Sequence, residues 1–196
     1  MKKILYILLA MSLLLNGTIA LAENAGVVEA ETETEEAAAD ETPSLRWEDT
    51  EYVVDLLGAE GGFYRYDDYN FRLWVPDVLE QVTLTEEQIE RGWLDVYSDE
   101  SETYGIVVEY SQVGENMDFE SFKAFVDSQV EGSVVQNLND FTALVYKQSE
   151  DVISVAIEGG EPGYFLTITY NGMSNQAFMN LAGISVASIM SLEYQE

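Results

Sequence analysis

The chain of 196 residues contains no cysteine and no histidine. Without cysteine it forms no disulfide, presents no thiol nucleophile and holds no iron–sulfur or thiolate–zinc centre. Without histidine, His-based triads and His-ligated zinc are excluded as well. The patterns G-x-S-x-G and S-x-x-K are also missing, as is a Gly-rich phosphate loop. Basic residues are scarce: eight Lys and Arg stand against 37 Asp and Glu, a net charge of −29. A field of that sign repels nucleic acid and anionic lipid headgroups, so neither is expected as a partner.

What remains for catalysis is carboxylate chemistry. A glycosidase needs two acids about 5–9.5 Å apart across a cleft, and an acid-rich chain forms such pairs by chance. The acidic clusters, Asp67-Asp68 and Asp95 with Asp99, Glu100 and Glu102, lack the spaced D-x-[DN]-x-[DN]-G calcium loop and read as solvated turns. No cofactor and no metal ion is implied.

The start of the chain carries an address. Lys2 and Lys3 precede an apolar run from Ile4 to Leu15 that only Ser12 interrupts, and Ala20-Leu21-Ala22 supplies a small-x-small cleavage pattern at Ala20 and Ala22. Residues 1–22 therefore read as a secretory signal peptide, which makes the protein secreted and leaves no stable membrane insertion after cleavage. The alternative is an uncleaved anchor, since the stretch from Ile4 to Ala22 just matches a bilayer core of about 30 Å. Asn16, Gly17 and Thr18 break the apolar run and no basic stop-transfer cluster follows, which favours cleavage. Without the first 22 residues, six basic side chains remain (Arg46, Arg65, Arg72, Arg91, Lys123 and Lys147) against all 37 acids, giving −31.

Residues 23–44 carry eight acids and no Lys, Arg or aromatic residue. The run Glu29-Ala30-Glu31-Thr32-Glu33-Thr34-Glu35-Glu36 lacks the apolar surface that would offset the entropy of ordering, so this segment reads as a disordered acidic tail or linker. Residues 45–196 are of the usual size for one domain whose stability comes from a hydrophobic core.

Within that domain the patterning predicts strands and two main helices. Gly61 to Val75 reads as an aromatic hairpin that turns at Asp67-Asp68, with Phe71, Leu73 and Val75 on one face of its second arm. Thr85 and Gln88 form a capping box for a short helix ending near Arg91. Trp93–Ser98 and Tyr104–Tyr110 form a second hairpin. Phe141–Lys147, Val152–Glu158 and Tyr164–Tyr170 form a meander whose last pair is antiparallel. One main helix runs from Phe119 to Val130 behind Asp118 as N-cap. A final helix starts after Ser174 as N-cap, with Met173 and Phe178 as its staple, and carries Phe178, Leu181, Ala182, Ile189 and Leu192. The expected fold is α+β, a mostly antiparallel sheet with two main helices packed on it.

The order of these elements resembles the PsbP-like sandwich fold. The resemblance rests on the aromatic hairpin ending in Leu73-Trp74-Val75-Pro76-Asp77, the helix entered at Asp118-Phe119-Glu120-Ser121-Phe122, the strand meander, and a terminal helix with Ile184-Ser185-Val186-Ala187-Ser188-Ile189. It covers most of Gly61 to Met190 as a pattern of elements and transfers no site residue. Members of that family serve as accessory or binding subunits in unrelated systems, so the resemblance implies little about function.

Tyr64, Tyr66, Tyr69, Arg72 and Trp74 are the candidate binding residues. Aromatic and Arg side chains bury much area at little entropic cost and dominate interface hot spots. The competing role for the same residues is to complete the core. The functional expectation is an exported, non-catalytic binding or scaffolding domain for an extracellular protein or glycan. The alternative is a small carboxylate-dependent hydrolase acting on extracellular glycans.

Overall fold

A computed structural model describes residues 44–130 and 132–194. The expected signal peptide, its cleavage residues Ala20 and Ala22, and the acidic stretch lie outside the described residues, apart from Ser44. In chain order the elements are β1 (Ser44–Leu45), α1 (Glu51–Leu57), β2 (Gly61–Tyr66), β3 (Phe71–Pro76), β4 (Glu80–Val82), α2 (Glu86–Glu90), β5 (Trp93–Ser98), β6 (Gly105–Gln112), α3 (Phe119–Gln129), β7 (Val134–Leu138), β8 (Phe141–Ser149), β9 (Val152–Glu158), β10 (Tyr164–Asn171) and α4 (Gln176–Ala187).

Eight strands form one sheet in the order β1-β7-β8-β9-β10-β6-β5-β4, and β2 and β3 form a separate two-stranded sheet. All pairings are antiparallel except β1 with β7. The fold is the α+β arrangement that the sequence predicts, with two long α-helices, α3 and α4, and two short ones, α1 and α2, among the described residues.

Side-chain alternation divides the large sheet between two cores. Ile153, Val155 and Ile157 of β9 and Leu166, Ile168 and Tyr170 of β10 face the hairpin's Phe71, Leu73 and Val75 and the α4 residues Phe178, Ala182 and Val186. Leu144, Ala156 and Phe165 point the other way and meet Phe122 and Val126 of α3. A third cluster lies on the outer face of the hairpin, where Trp47, Val53, Trp74, Ile184 and Met190 pack together. The hairpin is thus sandwiched, with the sheet beneath it and the helical turns around Trp47 and Val53 above.

Local signals explain the helix starts. Thr85 and Gln88 form the complete reciprocal capping box, and Asp118 accepts the Ser121 amide at 2.8 Å. The last helix differs from the expectation by one residue. Asn175, not Ser174, is its N-cap, because the Asn175 carboxamide oxygen reaches the amides of Ala177 and Phe178 at 3.0 and 3.2 Å. This helix also ends at Ala187, so Ile189 and Leu192 lie beyond it. It stops there because Ser188 turns its hydroxyl back onto the Ser185 carbonyl at 2.6 Å, and the chain then crosses to the edge of β3.

Asn139 joins segments from near both ends of the described chain. At φ +52° in the turn between β7 and β8, its side chain accepts the Trp47 amide at 2.7 Å. The same side chain donates to the carbonyls of Ala187 and Ile189 at 2.9 and 2.7 Å. A short polar side chain is among the few that tolerate the left-handed region.

Candidate functional site

The hairpin presents two chemically different faces. Tyr64, Tyr66, Phe71 and Leu73 occupy one face, and Phe63, Arg65, Arg72 and Trp74 the other, with Phe63 opposite Trp74 and Arg65 opposite Arg72. On the inner face, the Tyr66 hydroxyl lies 3.1 Å from that of Tyr97, which donates to the Asp95 carboxylate at 3.2 Å. Gln81 donates to the other oxygen of Asp95. Burial pushes the phenols of Tyr66 and Tyr97 well above their ordinary value, and the neighbouring Asp95 charge adds to the shift. Both hydroxyls therefore stay protonated as donors. Tyr64 meets the Tyr97 ring edge-on at 4.9 Å.

At the hairpin tip, Tyr69 leans on Tyr110 at 4.8 Å, and Tyr110 stacks on Tyr164 at 5.4 Å. Gly159 leaves room for this row, since a Cβ there would lie 2.7 Å from the Tyr110 ring and hydroxyl.

The five predicted site residues separate by burial. Tyr66 and Trp74 lie in the core, Trp74 with 4% of its surface exposed, and offer no contact area. Tyr64 and Tyr69 are exposed at 40% and 38%, and Arg72 is half-buried. Phe63, at 38% exposure, joins the surface without having been singled out by its pattern. The Arg72 guanidinium sits over the Phe63 ring, 5.1 Å from its centroid, and Phe63 meets Trp47 edge-on at 5.1 Å. Arg65 pairs with Asp67 at 3.1 Å.

Backbone hydrogen bonds show which edge of the hairpin is open. The Trp74 amide donates to Ser188 Oγ at 2.7 Å, and the Trp74 carbonyl accepts from Ser185 Oγ at 2.8 Å. The Arg72 amide donates to the Met190 carbonyl at 2.9 Å, and Met190 donates back to Arg72 at 3.4 Å. Trp74 and Arg72 therefore turn their backbone groups away from β2. In an antiparallel ladder the paired residues Phe63 and Arg65 must then turn theirs outward too. Among the described residues no strand lies beyond β2. Its outer edge is a row of backbone groups from Phe63 and Arg65, flanked by the exposed side chains of Phe63, Tyr64 and Arg65.

Carboxylates are arranged differently. A recess between the start of α3 and the loop before β10 is lined by Asp118, Glu158 and Glu161. Asp118 is held below its ordinary value by its hydrogen bonds from Ser121, opposite to the shift a general acid requires. In the turn after β5, Asp99 is likewise lowered as it gathers Ser101, Tyr104 and Thr103. Among the described residues no group of three or more acids is placed to hold a metal ion. Nor is any described helix long and apolar enough to cross a membrane.

No protein-family model and no curated protein matches the chain. Among solved structures the fold is similar to cyanobacterial PsbP (CyanoP) from Synechocystis sp. PCC 6803. That match has 9% identity and a TM-score of 0.47 and covers 68% of this chain and 93% of that one. A second similar structure, a protein from Bacteroides thetaiotaomicron VPI-5482, has 8% identity and a TM-score of 0.45. It covers 70% of this chain and 50% of its counterpart, so the chain spans half the length of that protein. The PsbP-like resemblance carried by the element order thus has a PsbP structure among its neighbours in three dimensions.

Proposed function

We propose that this chain is an exported, non-catalytic binding or scaffolding domain that engages an extracellular protein through the outer edge of its aromatic hairpin. Export rests on the three-part pattern of residues 1–22. The binding role rests on one observation: β2 exposes Phe63, Tyr64 and Arg65 together with unfilled backbone groups, while β3 is bonded along both its edges and packed on both its faces. An edge strand on a rigid mount is a docking element, and soluble proteins usually blunt such edges when they have no use for them.

The test is a photoreactive benzophenone side chain replacing Tyr64 in the whole chain, with the same group at Val134 as the control, since Val134 is comparably exposed at 37%. A specific adduct from position 64 and none from position 134 is expected. Equal adducts from both, or none from position 64, overturn the reading.

A further inference from the structure

The charges around β2 are ordered along the strand. Glu60 precedes it and Asp67 and Asp68 follow it, all three exposed. Within the strand Arg65 is the one charged residue. It turns to Asp67 at 3.1 Å, so this cation is compensated inside the chain. The open edge is thus an uncharged or internally balanced run between two acidic ends. Phe63 and Tyr64, at 38% and 40% exposure, supply its apolar middle. The six residues of the strand span about 20 Å at the usual rise. The whole chain, at −29, surrounds these ends with a field of the same sign.

We propose, building on the binding role above, that the partner segment received by this edge is extended and basic at both ends, with Lys or Arg about 20 Å apart flanking an uncharged, β-prone middle. The middle adds as a strand by bonding to the outward backbone groups of Phe63 and Arg65. Its β-branched or aromatic side chains pack beside Phe63 and Tyr64. A basic residue in the middle would face Arg65 and be repelled, and an acidic end would meet Glu60 or Asp68. The ends therefore carry the selectivity. The negative field draws such a segment in from a distance, so association is faster at low salt. Contact with exposed carboxylates adds only modest affinity per pair. Backbone pairing and the apolar middle hold the complex, and charge selects it.

The experiment titrates the whole chain with the synthetic peptide Lys-Thr-Val-Thr-Val-Thr-Val-Lys, blocked at both termini, and follows the backbone amide resonances. Two control peptides separate charge from strand pairing. One replaces both Lys with Glu. The other keeps both Lys but is N-methylated throughout its middle, which retains the charge and removes the donors that strand addition needs. Saturable shifts centred on the Phe63 and Arg65 amides are expected for the first peptide, with about tenfold weaker binding of both controls. Glu60→Gln combined with Asp68→Asn alters two exposed side chains and should weaken the first peptide about fivefold. Equal binding of the N-methylated peptide means non-specific attraction to an acidic chain and overturns the proposal. Equal binding of the Glu peptide, an unchanged affinity in the double variant, or saturable shifts centred elsewhere overturn it as well. Failure of the first peptide while the adduct from position 64 persists defeats this inference and leaves the binding role standing, whereas failure of both defeats both.

Discussion

The backbone of Trp74 is held on its outer side by two serines of one helix turn: its amide donates to Ser188 and its carbonyl accepts from Ser185. Ser185 also meets the hydroxyl of Tyr170 at 3.1 Å, and burial pushes that phenol well above its ordinary value, so it remains a neutral partner. All four groups are buried. Removing one hydroxyl leaves its partners unsatisfied away from water, which costs more than the bond itself contributes. Ser188→Ala should therefore lower stability by about 1–3 kcal/mol in urea unfolding. Ser185→Ala should cost as much, with the double variant less than additive because the groups share one network. A loss of only a few tenths in either single variant would show that the hairpin is not mounted this way.

Asn139 is the other fixed point. It makes three side-chain bonds to Trp47, Ala187 and Ile189 from a left-handed backbone. Asn139→Ala should cost about 2–4 kcal/mol, combining lost bonds with backbone strain. Asn139→Gly relieves the strain but not the lost bonds, so it should fall between the two in thermal unfolding.

Gly61 lies under the Trp74 ring, where an added Cβ would sit 2.3 Å from Cζ2 and 2.5 Å from the Val75 carbonyl. Gly61→Ala should displace the indole and destabilise by about 1–3 kcal/mol, as overpacking generally does. Tryptophan fluorescence is the readout, and an unchanged spectrum would contradict the packing described.

Acid should destabilise the fold through its turn and cap aspartates. Asp118 is lowered by Ser121, Asp99 by Ser101 and Tyr104, Asp127 by Lys123, and Asp151 by Ser174. A carboxyl with a folded value below its unfolded one contributes fully above the unfolded value, 3.8 for aspartate, and loses that contribution as pH falls through the folded value. Asp118→Asn keeps a cap acceptor but cannot titrate. Its urea midpoint should fall less steeply than that of the unaltered chain below about pH 4, and an identical slope would show that Asp118 is not among the groups responsible.

Much of this fold was legible because the residues that face a core recur every second position in a strand and every third or fourth in a helix. In β3 they are Phe71, Leu73 and Val75, in β9 Ile153, Val155 and Ile157, and in β10 Leu166, Ile168 and Tyr170, while α3 repeats Phe122 and Val126 behind a marked N-cap. Four elements lack such a signal, among them β1, whose two residues are exposed and half-buried. The short α1 buries only Val53 and exposes Tyr52, Leu56 and Leu57, β4 has no buried residue, and β7 buries only Leu138. The candidate site was half legible. Composition drew attention to the hairpin's aromatics, but alternation alone places Trp74 with Arg72 on the solvent side, whereas Trp47, Val53 and Met190 arrive from distant sequence to cover it. Tyr66 is likewise claimed by Tyr97 and Phe71. The open edge of β2 was invisible in sequence because it follows from Met190 pairing with Arg72, a contact between chain segments far apart.

The contrast between the two edges of the hairpin is central to the binding role. Residue-resolved amide hydrogen exchange on the whole chain measures it directly. The Arg72 and Trp74 amides, bonded to Met190 and Ser188, should be among the slowest to exchange, whereas those of Phe63 and Arg65 in the adjoining strand should exchange far faster. Equal protection of all four amides would mean that β2 is already covered, and would contradict an edge held open for a partner.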